Sequence, residues 1–137
     1  MENTTVEKQY SKKWQTRFAF YNEFGGPNTP AHKAAFRNLS FLNRILIQSN
    51  FIAFFFGLIY FFVLGLWRKN LTLLGIGIAI NIVIAFIEAI VDAMLPEYMN
   101  LPIALSISYL WAGTANYAYY LKETQNSKSW NPFEGML

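Results

Sequence analysis

Three apolar runs leave this chain few ways to fold. Phe51 to Trp67 is seventeen residues without a charge. Leu71 to Leu95 is 25 residues, about 37 Å as a helix at a rise of roughly 1.5 Å per residue. Leu101 to Leu121 is 21 residues, about 31 Å on the same rise. A bilayer core is about 30 Å thick, so the third run matches it and the second must tilt or protrude. The turn "PEYMNLP" between them is bracketed by Pro96 and Pro102. Residues 71–121 are therefore expected to form a two-helix transmembrane hairpin. The fold class expected is an all-α integral membrane protein.

Composition agrees. Hydrophobic residues are 54% of 137 and charged ones 14%, below the roughly 25% of a soluble domain. The length suits one domain. Without cysteine, no disulfide or thiolate site is possible. The opening "MENTTVEKQYSKKWQ" lacks an apolar core after its charges, so no cleavable signal peptide is expected.

Residues 1–50 read as a basic, amphipathic region on the cytoplasmic side. Tyr10, Trp14, Phe18 and Tyr21 recur in steps of three and four, placing one aromatic stripe on a helix. Lys12, Lys13 and Arg17 share it, which suits a helix in the lipid headgroup region. Basic residues among aromatics also suit single-stranded nucleic acid, but the neighbouring apolar runs already explain the composition, so no nucleic acid is expected. "FGGPNTPAHK" forbids a continuous helix. Thr29 can cap the next one, with Pro30 in its first turn. That helix is expected from about Ala31 to Gln48, with Lys33, Arg37, Arg44 and Gln48 on its wet face. Phe36, Leu39, Leu42, Ile45 and Leu46 form the apolar face.

Charge decides the path of 51–67. Residues 1–48 hold seven positive charges, the 68–70 connection two, the 96–100 turn none and the tail 122–137 two. Positive residues favour the cytoplasmic side. If 51–67 crosses, Arg68, Lys69 and the tail fall outside. If it enters and returns, only the acidic turn is outside and every segment obeys the rule. The membrane domain is therefore read as 51–121: a re-entrant segment bending at Gly57, or a short aromatic span, then the spans 71–95 and 101–121. The tail 122–137 is cytoplasmic, as is the N-terminus. The opposing argument is that 45–67 is 23 residues without charge, enough to cross.

The stretch "AFFFGLIYFFVLGLWRKNLTLLGI" resembles the signature of the YigF-like family, small bacterial inner-membrane proteins of unknown function. The matching positions are Ala53 to Gly57, Tyr60, Gly65, Leu66, Trp67, Arg68 and Lys69. A proline often follows the first glycine in that family, where this chain has Leu58. The resemblance implies a bacterial inner-membrane location and supplies no activity.

Few residues carry chemistry. Glu88 and Asp92 lie four apart on one helix face, with Asn81 on nearly the same stripe. Ionisable residues inside a membrane are functional candidates. The sharp reading is a proton or cation site. The plainer one has both carboxylates bonding to Ser108, Tyr109 or Asn116 across the hairpin. Ala85, Ala89 and Ala93, with Ser108, Ala112 and Ala115, form small faces that would pack the hairpin or a second copy. Gly75 and Ala79 offer another such surface. Trp67 and Trp130 suit interface belts, and Trp111 packs. His32 is the only histidine and stands in a turn expected to face water, so neither metal nor cofactor is expected. No catalytic motif is found, and the chain is not read as an enzyme.

The function expected is a small inner-membrane interaction or regulatory subunit. Anionic lipid headgroups would meet Lys12, Lys13, Arg17, Lys33, Arg37, Arg44, Arg68 and Lys69. The hairpin would meet another membrane protein or a second copy. Alternatives are a proton or cation transport component using Glu88 and Asp92, and an immunity protein that blocks a membrane-active toxin.

Overall fold

The computed structural model describes residues 9–137. Among them there are six α-helices and no strand. They are α1 (Lys12–Phe24), α2 (Pro30–Arg37), α3 (Phe41–Gln48), α4 (Phe51–Val63), α5 (Trp67–Val91) and α6 (Asn100–Gln125), with a 3-10 turn at Glu97–Met99.

The second half of α6 is the post around which the rest is built. Trp111 to Leu121 is buried except at Gly113. The aromatic stripe of α1 packs on it rather than on lipid. Trp14 meets Tyr119 at 4.6 Å between ring centroids, Phe18 meets Tyr120 at 5.4 Å, and Tyr21 meets Tyr117 at 5.0 Å. This corrects the headgroup placement expected for that stripe. An aromatic ladder every three or four residues fits another helix as well as it fits an interface.

The helix expected over 31–48 is two. Thr29 caps α2 as expected, accepting the His32 amide at 3.2 Å, with Pro30 at the first position. The chain then breaks at Asn38–Ser40, and Ser40 caps α3 through the Asn43 amide. A second break follows at Ser49 and Asn50, whose backbone is extended. The last carbonyls of α3 would be orphaned there. They are claimed from two sides. Asn116 of α6 turns one amide group toward the carbonyls of Leu46, Ile47 and Ser49, at 3.0–3.2 Å. Arg17 Nε donates to Leu46 and the Tyr21 hydroxyl to Ile47. Asn50 donates to Asn116 Oδ1 at 3.1 Å, and its own Oδ1 caps α4 at Ala53. The Asn50 amide donates to the Ala112 carbonyl.

α4 bends at Phe56, whose φ and ψ are −128° and 25°. The bend expected at Gly57 thus falls one residue earlier. Asn50 touches Ala112 and Gly57 touches Trp111, whereas the Leu64 carbonyl accepts from Lys122. The first half of α4 therefore makes no headway along α6, and the second half runs back toward its C-terminus. Gly57 serves the indole: a Cβ there would stand 2.5 Å from Trp111. Trp111 Nε1 donates to Asn70 Oδ1 at 2.8 Å, and Asn70 donates to the Leu58 carbonyl at 2.7 Å. Asn70 is fully buried. One indole and one amide thus pin α4, α5 and α6 together. Gly65, at φ +75°, closes α4 with the Gly65 amide on Phe62 and the Leu66 amide on Phe61. That is the paired bonding of a left-handed helix cap.

α5 starts at Trp67, so Arg68 and Lys69 lie in its first turn and not in a loop. It buries only Lys69, Asn70, Leu73 and Gly77. Beyond Gly77 it buries no residue, and apart from Asn81 and Glu88 its surface is apolar: Ile82, Phe86 and Ile90 are 63–68% exposed. Among the described residues two stretches are long and apolar enough to cross a membrane, Phe41–Val63 and Trp67–Val91; α6, which holds the span expected over 101–121, is not one of them. The first is not one rod, because it breaks at Ser49–Asn50 and bends at Phe56. Ala112 and Ala115 pack beneath α4, while Ala85, Ala89 and Ala93 stay exposed. The two small faces therefore do not meet, as the hairpin reading expected.

The tail is docked rather than free. Lys69, 2% exposed, pairs with Glu134 at 3.1 Å, and Ser127 donates to the same carboxylate oxygen at 2.6 Å. The Asn28 amide donates to the Gly135 carbonyl, and Trp67 meets Trp130 edge to face.

Two outcomes follow. Asn116→Leu orphans the Ser49 carbonyl and the Asn50 side-chain Nδ2 and is expected to cost about 2–3 kcal/mol. A denaturant titration in detergent micelles reads it, and unchanged stability would remove the clasp from this account. Burial works against the Glu134 carboxylate, but the Ser127 hydroxyl and the Lys69 ammonium outweigh it and hold the group below its ordinary range. A depressed carboxylate stabilises above its unfolded value and stops doing so as pH falls through the native one. Tail docking is therefore intact at neutral pH and weakens only as pH falls below the ordinary glutamate range. Limited proteolysis of the tail against pH tests this, and Glu134→Gln is expected to abolish the acid step.

Candidate functional site

The expected polar membrane site does not assemble. Asn116 lies at the centre of the bundle, holding α3. Asn81 donates to its own helix at the Gly77 carbonyl. Glu88 accepts the Leu95 amide at 2.7 Å, and its backbone carbonyl accepts the Ala93 amide. Asp92 ends α5 in the left-handed conformation and is exposed. Glu88 thus caps the turn that follows α5, and neither carboxylate bonds to Ser108, Tyr109 or Asn116. The i,i+4 spacing gave a shared face, but the turn after Val91 supplied a nearer donor.

The basic residues divide. Lys12, Lys13, Lys33, Arg37 and Arg44 are exposed. Arg17 and Lys69 are buried and do not face lipid. Arg17 sits over the Trp14 ring at 4.7 Å while bonding to Leu46. Burial lowers its pKa, and Tyr21 and Tyr60 offset this in part. Its charge stands at the carbonyl end of α3, where a cation is favoured.

A cleft of about 460 Å³ opens between α2, α3, α6 and the tail. Tyr21, Phe36, Ile47, Leu110, Phe133 and Met136 give it apolar walls. Lys33, Arg37, Gln48 and Tyr109 bring polar groups to it. Among the described residues neither Lys33 nor Arg37 has a carboxylate partner. The volume is within the usual range for small-molecule sites. His32 lines it, and is buried rather than water-facing. Its ring lies nearly parallel to those of Tyr21 and Phe36, at 5.9 and 6.0 Å. Its Nδ1 donates to the Gly25 carbonyl at 3.0 Å, which fixes the neutral tautomer with the proton on Nδ1. Burial lowers the histidine pKa, and the Gly25 bond offsets this in part. Burial likewise raises the Tyr21 phenol. Both groups are therefore neutral at neutral pH.

These walls suit an apolar group with a polar or anionic end. No nucleophile stands beside a base there, and among the described residues no cluster of histidine and carboxylates could hold a metal. Sequence reasoning missed the residues that do most of the holding: Tyr21, Asn50, Asn70 and Glu134. For Asn50 and Asn70 a signal existed, since each is an amide at the edge of an apolar run. Buried amides in such places need partners.

No solved structure matches the chain. Curated relatives do. The uncharacterized protein YigF of Escherichia coli (strain K12) is 36% identical over 125 residues, covering 88% of this chain and 90% of the relative. The uncharacterized protein YigF of Salmonella typhimurium (strain LT2) is 38% identical over the same shares. A family model described as "Protein of unknown function (DUF2628)" matches residues 3–125. With most of the chain matched by the family model and by the relatives, this protein belongs to the DUF2628 family, alongside the YigF proteins it resembles.

Proposed function

We propose that this chain is a non-catalytic interaction or regulatory subunit of the bacterial inner membrane. In this reading α5 and α6 cross the bilayer, 51–67 is re-entrant, and both termini are cytoplasmic. The observation that carries it is the division of the molecule into two unlike ends. Every Lys and Arg precedes Asn70 or follows Leu121. The tip between α5 and α6 carries Glu88, Asp92 and Glu97 and no base. Between them α5 presents a bare apolar surface, which water does not support at this size. The sign matches the positive-inside rule. The break at Ser49–Asn50 is covered by Asn116, Arg17 and Tyr21, as irregular backbone at membrane depth requires.

Anionic headgroups would collect at the basic end, at ~1 kcal/mol per well-placed cation. A partner would lie along α5. Ala85, Ala89 and Ala93 are exposed on it, and Gly75 has open space where a side chain would be. Small residues let a second helix come close. The partner would be another membrane protein or a second copy. The transport alternative loses its main support, since Glu88 and Asp92 do not converge on Asn116.

Single cysteines test the topology, because the native chain has none. Trp67→Cys, Glu97→Cys and Gln125→Cys all lie at exposed positions. A membrane-impermeant maleimide on intact cells is expected to label position 97 alone. Labelling of 67 and 125 with 97 silent would mean that 51–67 crosses. A chain washed from membranes by alkaline carbonate would end the reading.

A further inference from the structure

A second concavity, of about 230 Å³, lies where the α4–α5 turn meets the end of α6. Four cations line it from three parts of the chain: Arg68, Lys69, Lys122 and Lys128. The carboxylates facing them are Glu134 on Lys69 and Glu123 on Lys122. A formal excess of two positive charges remains. The bonds already made leave donors to spare. Arg68 gives Nη1 to the Lys128 carbonyl, at 2.8 Å. Its Nε is buried and has no partner. A buried N–H of this kind calls for an acceptor. Lys122 gives its ammonium to the Leu64 carbonyl at 2.9 Å and more weakly to Glu123, leaving a third N–H. Lys128 is exposed. Gly65 keeps the space open, since a Cβ there would stand 2.7 Å from Lys122 Nζ.

We infer that this groove binds the phosphodiester of an anionic membrane phospholipid. The inference deepens the membrane reading above and rests on it. The chemistry is that of a phosphate: several N–H donors of positive charge around a small, half-polar hollow. The lipid source follows from position. The groove sits at the turn between two apolar helices, and the Trp67–Trp130 pair stands beside it, with ring centroids 5.3 Å apart. Basic pockets between helices at the cytoplasmic side suit such headgroups. The acyl chains would then lie along the exposed apolar flank of α4 and α5, where Phe62 and Leu71 are exposed.

The test uses the full chain in phosphatidylcholine nanodiscs doped with phosphatidylglycerol. Native mass spectrometry reads the fraction that keeps a phosphatidylglycerol. Lys128→Gln, which changes an exposed side chain, is expected to weaken retention about fivefold. Arg68→Gln with Lys128→Gln is expected to weaken it about thirtyfold. The charge-keeping Lys128→Arg, which leaves Arg68 in place, should retain most binding. Ala34→Glu with Asn43→Glu, at exposed positions away from the groove, makes the same change in net charge and should leave retention unchanged. Equal weakening by that control pair would overturn the site in favour of a diffuse field. Unchanged retention in Arg68→Gln/Lys128→Gln would overturn it outright. Displacement of the lipid by inorganic phosphate at matched concentration would overturn the lipid assignment. If the wild-type chain does not enter nanodiscs, the membrane reading itself has failed, which is a different result from an intact chain that ignores phosphatidylglycerol.

Discussion

The fold hangs on one side chain. Asn116 faces the end of a helix that has stopped in the wrong place, between two apolar runs, with three carbonyls exposed. Without an amide at that point the break between α3 and α4 would leave the Ser49 carbonyl empty. Arg17 and Tyr21 come to the same carbonyls from α1, so the N-terminal helix is recruited by the same deficit. The aromatic ladder between α1 and α6 then follows from where α1 must lie. A single unmet need for hydrogen bonds thus sets the position of three helices.

How much of this was legible in the sequence depends on the kind of signal. The all-α class, the apolar runs and the Thr29–Pro30 start of α2 were readable from length, period and cap chemistry. The bend in α4 is readable to within one residue, from the glycine at 57. The wrong readings share a cause. A basic aromatic helix was read as facing lipid because lipid seemed the nearest apolar medium, but α6 offered a nearer one. Phe18 and Tyr21 are buried against it. Lys69 looked like a headgroup contact because its partner, Glu134, is 65 positions away. Single-sequence patterns report what a residue needs and not which distant residue supplies it. Glu88 and Asp92 taught the converse, since the nearest donor to Glu88 lay only seven residues on.

The two halves of the molecule are held by different physics. Around α6 the chain has a dense core in which polar groups are matched one by one: Asn50 with Asn116, Asn70 with Trp111, Lys69 with Glu134. Along α5 past Gly77 there is almost no internal contact to match. Stability therefore resides at the basic end, and the acidic end is held by its surroundings.

That division makes α5 a cantilever. Its first three turns are clamped by Asn70, Leu73 and Gly77, and the remaining turns bury no residue. A beam of fixed length fastened at one end answers a change in the medium by changing its angle. In a bilayer thinner than the beam the helix would lean, and in a thicker one it would stand upright. The height of the acidic tip would then report the thickness of the surrounding lipid. Whatever sits along that helix would feel the same tilt.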